Sequence, residues 1–241
     1  MTSVRTSASR LFAATNPAFA TAIIGTVITV GLYGLVTDSV FRVRYLHLVL
    51  GLLWTGCNLL LGLVIGPALS ELDDRRAAAV YGRTAPRLAF LLPALLVLVI
   101  GVGLPLSVQM HLFPHAGPWL AVFAFLNLTG VLLVFGWRFD AWRDWRLIAP
   151  IAIVTLASVG LFVATLSQFG MTLRSMLLTL VVGSMILLNG LGLILSGNLK
   201  ASLEARTQNP NTNLIATIGR RNTTLARVQI LLQIIIIISV L

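Results

Sequence analysis

Apolar residues in this chain come in long blocks, separated by short polar stretches, with no alternation at a strand's period. A helix needs about 20 apolar residues to cross roughly 30 Å of hydrocarbon. Seven blocks meet or approach that length, at 18–36, 45–69, 88–108, 118–136, 147–166, 175–196 and 225–241. The first six are clear and the last is marginal, because it opens on Arg227 and runs to the end of the chain, yet its Ile234–Ile238 run has no reading outside lipid. Strands of a membrane barrel would alternate apolar and polar positions, which these blocks do not. A helix satisfies its own backbone in lipid, so the pattern predicts an all-α, polytopic bundle of seven transmembrane helices forming a single transmembrane domain, 1–241.

Composition agrees and removes other classes. The chain of 241 residues is 58% hydrophobic and 10% charged, with 17 Lys and Arg against 7 Asp and Glu, a net charge of +10. A soluble domain carries about 25% charged residues, so neither a soluble enzyme nor a disordered chain fits. The excess of positive charge does not indicate a nucleic-acid partner, since no large polar domain exists to present it. Its distribution gives orientation instead. If the spans alternate, 14 of the 17 basic residues fall in the N-terminus and the stretches 70–87, 137–146 and 197–227. The other side holds Arg42, Arg44 and Arg174. By the positive-inside rule the N-terminus is expected in the cytoplasm and the C-terminus outside, in a prokaryotic cell membrane. Removing one span would scramble the alternation.

The polar stretches add detail. Met1 to Asn16 is polar, and the block after it is too long for a signal-peptide core, so it reads as a retained first span. Trp137, Trp142 and Trp145 interleave with Arg138, Arg143 and Arg146, the composition of an interfacial anchor. Segment 197–227 reads as the longest inner loop, with Leu199 to Arg206 extending the sixth span and Asn209-Pro210-Asn211 breaking it. Asn222-Thr223-Thr224 fits a glycosylation pattern but falls on the inner side and is set aside. Gly62-x-x-x-Gly66 reads as a close-packing motif. Cys57 is the only cysteine, so no internal disulfide can form.

The spans themselves hold no Asp, Glu, Lys or Arg near their centres. Ion-coupled pumps place ionisable groups there. The amides Asn58, Asn127, Asn189, Gln229 and Gln233 are expected to bond between helices, each worth on the order of 0.6–2 kcal/mol. A retinal Schiff base needs a lysine within a helix. Lys200, the single lysine, is assigned to a loop. Multi-heme membrane enzymes need more histidines than the three present.

Those three, His47, His111 and His115, are all expected toward the outer face, as are Met110, Met171 and Met176. Imidazole and thioether suit copper, thioether favouring Cu(I). Pro114 interrupts the interval from His111 to His115, so helical convergence of the two is not assumed. At helical spacing, His47, Gly51, Trp54, Asn58 and Gly62 share one small and polar face of the second span. Such a face is expected to turn inward, with Gly51 admitting a flat ring close to His47.

Arg44-Tyr45-Leu46-His47, then Leu53-Trp54-Thr55-Gly56, then Pro67 resembles the opening helix of a group of bacterial and archaeal membrane families. The group includes the copper-resistance D-type domain and the HemJ-type protoporphyrinogen oxidases. Arg83 to Gly103 is similar to the second helix of the former, so the likeness spans 44–104. It implies heme ligation by His47 in the HemJ version, and copper received by outer histidines and methionines in the other. The HemJ-type proteins also need a lysine on a later helix, which this chain lacks within its spans.

The resulting expectation is an integral membrane protein handling a metal or a single heme at an outer-face histidine site. Copper and heme b are the candidate cofactors. His47, Gly51 and Trp54 are the candidate heme pocket, and His47, His111, His115 and Met110 the candidate metal ligands; no catalytic residue is assigned. The alternatives are a non-catalytic subunit of an oligomer or larger complex, and a transporter of a neutral solute lined by Asn58, Asn127 and Asn189.

Overall fold

The computed structural model describes residues 15–240. Arg5, Arg10 and most of the polar N-terminal stretch lie outside the described residues. The structure is all-α. Among the described residues, seven helices are long and apolar enough to cross a membrane. They are α1 (Pro17–Val36), α2 (Val40–Glu71), α3 (Asp74–Gln109), α4 (Ala116–Phe139), α5 (Trp145–Gln168), α6 (Arg174–Glu204) and α7 (Thr212–Val240). The chain is a polytopic membrane protein.

The first six expected spans each fall within one helix, and the seventh is the end of α7. Several helices are longer than their apolar blocks. α3 begins at Asp74 where the block begins at 88, and α7 begins at Thr212 where the block begins at 225. At 1.5 Å per residue the 36 residues of α3 run about 54 Å, well beyond the hydrocarbon. The physical reason is that a helix outside lipid needs only one apolar stripe. On α3 that stripe is Ala77, Tyr81 and Ala85, one helical turn apart and all buried. Segment 197–227, expected as a loop beyond a helical extension of the sixth span over 199–206, is helical except around 205–211, and Asn209-Pro210-Asn211 falls in that break.

Local signals place the helix starts. Asn16 Oδ1 accepts the Ala18 N–H at 3.1 Å ahead of α1, with Pro17 in the first turn. Asp73 Oδ1 accepts the Arg76 N–H at 2.8 Å ahead of α3. Asp144 Oδ1 accepts the Arg146 N–H at 2.9 Å ahead of α5.

The described residues form two compact units. One comprises residues 15–103 with Gly197–Ile230, and the other Leu104–Ser196 with 231–240. In the first unit the apolar core is Leu69, Ala77, Ala78, Tyr81, Ala85, Ala201, Ile215, Ala216 and Ile218, at the basic-rich ends of α2, α3, α6 and α7. Its many alanines let the helices approach closely. In the second unit α4 and α5 pack along their lengths, and Phe113, Met176 and Leu180 form a small core beneath the loop that precedes α4.

Two helices carry π-helical segments, Leu60–Ile65 in α2 and Leu188–Leu195 in α6. Gly62, within the first, and Gly66, just after it, both face α7. A Cβ on Gly62 would stand 2.9 Å from Arg227 Cγ, and one on Gly66 3.1 Å from Thr223 Cβ. This is the close packing that the glycine pair implied. Wider winding disturbs the regular ladder and frees backbone groups for other partners.

Candidate functional site

His47 lies half-buried on α2 within the first unit. A Cβ on Gly103 would meet its Cε1 at 2.6 Å and its Nδ1 at 3.0 Å, so α3 admits the ring only because residue 103 is glycine. Nδ1 is enclosed and has no hydrogen-bond partner of normal geometry. Trp54 is buried further along the same helix, and Asn58 Nδ2 donates to the Trp54 carbonyl at 2.9 Å. Gly51, expected to let a flat group approach His47, has no other atom within 4 Å of where a Cβ would sit. The glycine that meets the imidazole is Gly103, on another helix, which no pattern within α2 could reveal.

The other two histidines belong to the second unit. His111 and His115 both adopt left-handed backbone angles, φ 56° and 58°, in the turn that joins α3 to α4. Both are exposed. His115 Nδ1 lies 2.7 Å from the Gln168 carbonyl oxygen. A carbonyl only accepts, so in the neutral ring Nδ1 carries the proton and Nε2 keeps its lone pair. A Cβ on Gly170 would lie 2.7, 2.8 and 3.0 Å from Nε2, Cε1 and Cδ2 of this ring. Such near-equal distances set the flat of the imidazole against the glycine. Trp119 Nε1 donates to the Gly170 carbonyl at 3.0 Å, and its ring stacks with Phe169 at 5.9 Å. The loop holding His111 and His115 is thus tied to the loop holding Met171, which is exposed. Met110 precedes His111 and is half-buried. Among the described residues, no group of three or more His, Cys, Asp or Glu side chains is set to hold a metal ion.

The amides expected as interhelical glue behave in several ways. Asn127 is buried, and its Nδ2 donates both to the Phe123 carbonyl and to Ser184 Oγ on α6, each at 2.8 Å. Asn58 bonds only within its own helix in the described contacts. Gln233 is buried on α7 with neither its Oε1 nor its Nε2 bonded.

The densest polar arrangement lies where sequence reasoning placed a loop. Tyr81 is fully enclosed, and its hydroxyl donates to Asn198 Oδ1 at 2.5 Å. Asn222 Nδ2 lies 3.0 Å from that hydroxyl and 3.1 Å from Asn198 Oδ1. Arg221 donates to Asn222 Oδ1 at 3.2 Å. Gly197 and Gly219 admit these side chains, since a Cβ at either would come within 2.8 Å of Arg221, Asn222 or Tyr81 atoms. Close by, Arg220 donates to the Leu72 carbonyl at 2.8 Å and pairs with Asp74 at 2.7 Å, clasping the α2–α3 turn to α7. Asn213 donates to the same carboxylate at 2.9 Å. The sequence did hold one signal for this network: Tyr81 stands among small residues, after Ala77-Ala78-Ala79 and before Gly82.

Trp137, Trp142 and Trp145 are exposed, with the Arg146 guanidinium 5.9 Å from the Trp145 ring centre. Compared with known proteins, the chain matches no family model, no curated protein and no solved structure.

Proposed function

We propose that this membrane protein receives a soft metal ion, Cu(I), at a histidine–methionine face formed by the loops 109–115 and 167–173. The observation that carries the reading is the hydrogen bond between His115 Nδ1 and the Gln168 carbonyl. Metal-ligating histidines commonly donate their second ring N–H to a backbone carbonyl, which fixes the tautomer and orients the ring. His115 is held in that way, with Nε2 as the donor atom. His111 on the same turn and the thioethers of Met110 and Met171 supply further groups of the right softness. The reading accords with the likeness of 44–104 to the copper-resistance D-type domain. The reading is built on the loops 109–115 and 167–173 alone and leaves His47, on α2, outside it.

The test is a competition between the purified protein and a chromophoric Cu(I) chelator, under anaerobic reducing conditions. The wild type is expected to withdraw about one ion per chain, and His115→Ala to weaken the affinity at least about tenfold. Met171→Ala is expected to weaken it less, and His47→Ala to leave it unchanged. A protein that withdraws no copper, or a His115→Ala variant that binds as well as wild type, overturns the reading. A Soret band in the purified protein that is lost with His47→Ala would replace it by the heme reading.

A further inference from the structure

We propose that the groove between the end of α1 and the start of α2 binds one anionic phospholipid, with its phosphate at Arg42 and an acyl chain along Leu46 and Val49. The groove is lined by Tyr33, Phe41, Arg42, Tyr45, Leu46 and Val49 and encloses about 250 Å³. Sites that enclose a whole small ligand run from roughly 300 to 1,000 Å³. This groove is too small for that, and its rim residues Tyr33, Phe41 and Tyr45 are exposed on two spans, so it suits one segment of a bilayer lipid.

Its chemistry is graded along α2. Phe41 and Tyr45 are exposed, as interfacial aromatic rings are at the headgroup level, and Tyr33 faces them from α1. Leu46 and Val49 lie one and two turns deeper from Arg42. Arg42 itself is exposed and unpaired. Asp38, one turn before Arg42, forms no ion pair with it.

The distribution of charge supplies an independent reason. The ends of the spans on this side carry three basic residues of 17, and two of them are Arg42 and Arg44. The positive-inside bias disfavours basic residues at this end. A phosphate neutralises the guanidinium that stands beside the groove, and arginine binds phosphate through two parallel N–H groups.

The experiment uses the full chain in nanodiscs made with equal amounts of phosphatidylglycerol and phosphatidylcholine. It is released into mild detergent, and its retained lipid is read by native mass spectrometry. The wild type is expected to keep phosphatidylglycerol with a preference of about fivefold, the effect of one basic residue near an anionic headgroup. Arg42→Gln should abolish the preference, Arg42→Lys should keep most of it, and Val49→Trp, which fills the acyl end, should reduce retention of either lipid. Arg174→Gln, at the third basic residue of this side and not in the groove, should change nothing. Equal retention of the two lipids by wild type, or an Arg42→Gln variant that keeps the preference, overturns the proposal. So does loss of the bound lipid to inorganic phosphate at equal concentration, which would make the site one for free anions.

Discussion

Arg227 Nε on α7 donates to the Gly62 carbonyl oxygen on α2 across 2.7 Å. Gly62 lies within the π-helical segment Leu60–Ile65, where the regular ladder is disturbed. A cation at the start of the expected seventh span is thus paired with a backbone carbonyl of the neighbouring helix. Arg227→Leu is expected to destabilise the protein by about 1.5–3 kcal/mol, the range for a hydrogen bond to a charged group. Gly62→Ala should be at least as damaging, because the added methyl meets the Arg227 backbone nitrogen at 3.2 Å as well as its side chain. Chemical unfolding in detergent, run as a double-mutant cycle, checks both, and additive effects would show the two sites to be uncoupled.

Tyr81→Phe removes one hydroxyl from an enclosed network. Asn198 Oδ1 then keeps only Asn222 as donor. The expected loss is about 1–3 kcal/mol, the cost of a buried polar group left short of a partner. The matching change in melting temperature, with no change in helix content by circular dichroism, is the readout. Asn222→Leu should cost more, because it takes a donor from both the Tyr81 hydroxyl and Asn198 Oδ1 and an acceptor from Arg221.

Gly103→Ala tests the seat of His47. The new methyl would lie 2.6 Å from the imidazole, so the variant should melt lower than wild type. His47→Ala removes the obstructing ring, and the double variant should recover much of the loss. A Gly103→Ala protein as stable as wild type would show that the ring swings away freely.

Gln233→Leu should raise stability or leave it unchanged. Both polar atoms of this buried amide lack partners, and unpaired burial costs about 1–3 kcal/mol by protein mutational data. An apolar residue of similar size removes that cost. Lower stability on this substitution would reveal a bound water or ligand at the amide.

The gap between reading and structure is clearest at α3 and α7. Their apolar blocks announced themselves because lipid demands continuous hydrophobicity. Their extensions from Asp74 and Thr212 did not, because a helix packed on protein needs only a narrow stripe such as Ala77, Tyr81 and Ala85. Asn222 was set aside with a glycosylation pattern, and it is a central member of the Tyr81 network. Gly51 looked like the neighbour of His47 because it shares its helix face, yet the contact is made by Gly103.

The number of helices and their membrane-spanning character were legible in one dimension, since the transfer of each 20-residue block into hydrocarbon is decided by its own composition. The histidines were legible as candidate chemistry for the same reason, being rare side chains with few alternative uses. Which glycine seats an imidazole, which carbonyl takes Arg227, and which asparagines meet Tyr81 were decided only by tertiary structure. Those contacts join residues more than 50 positions apart, and their energies depend on geometry between helices, which no single block of sequence contains.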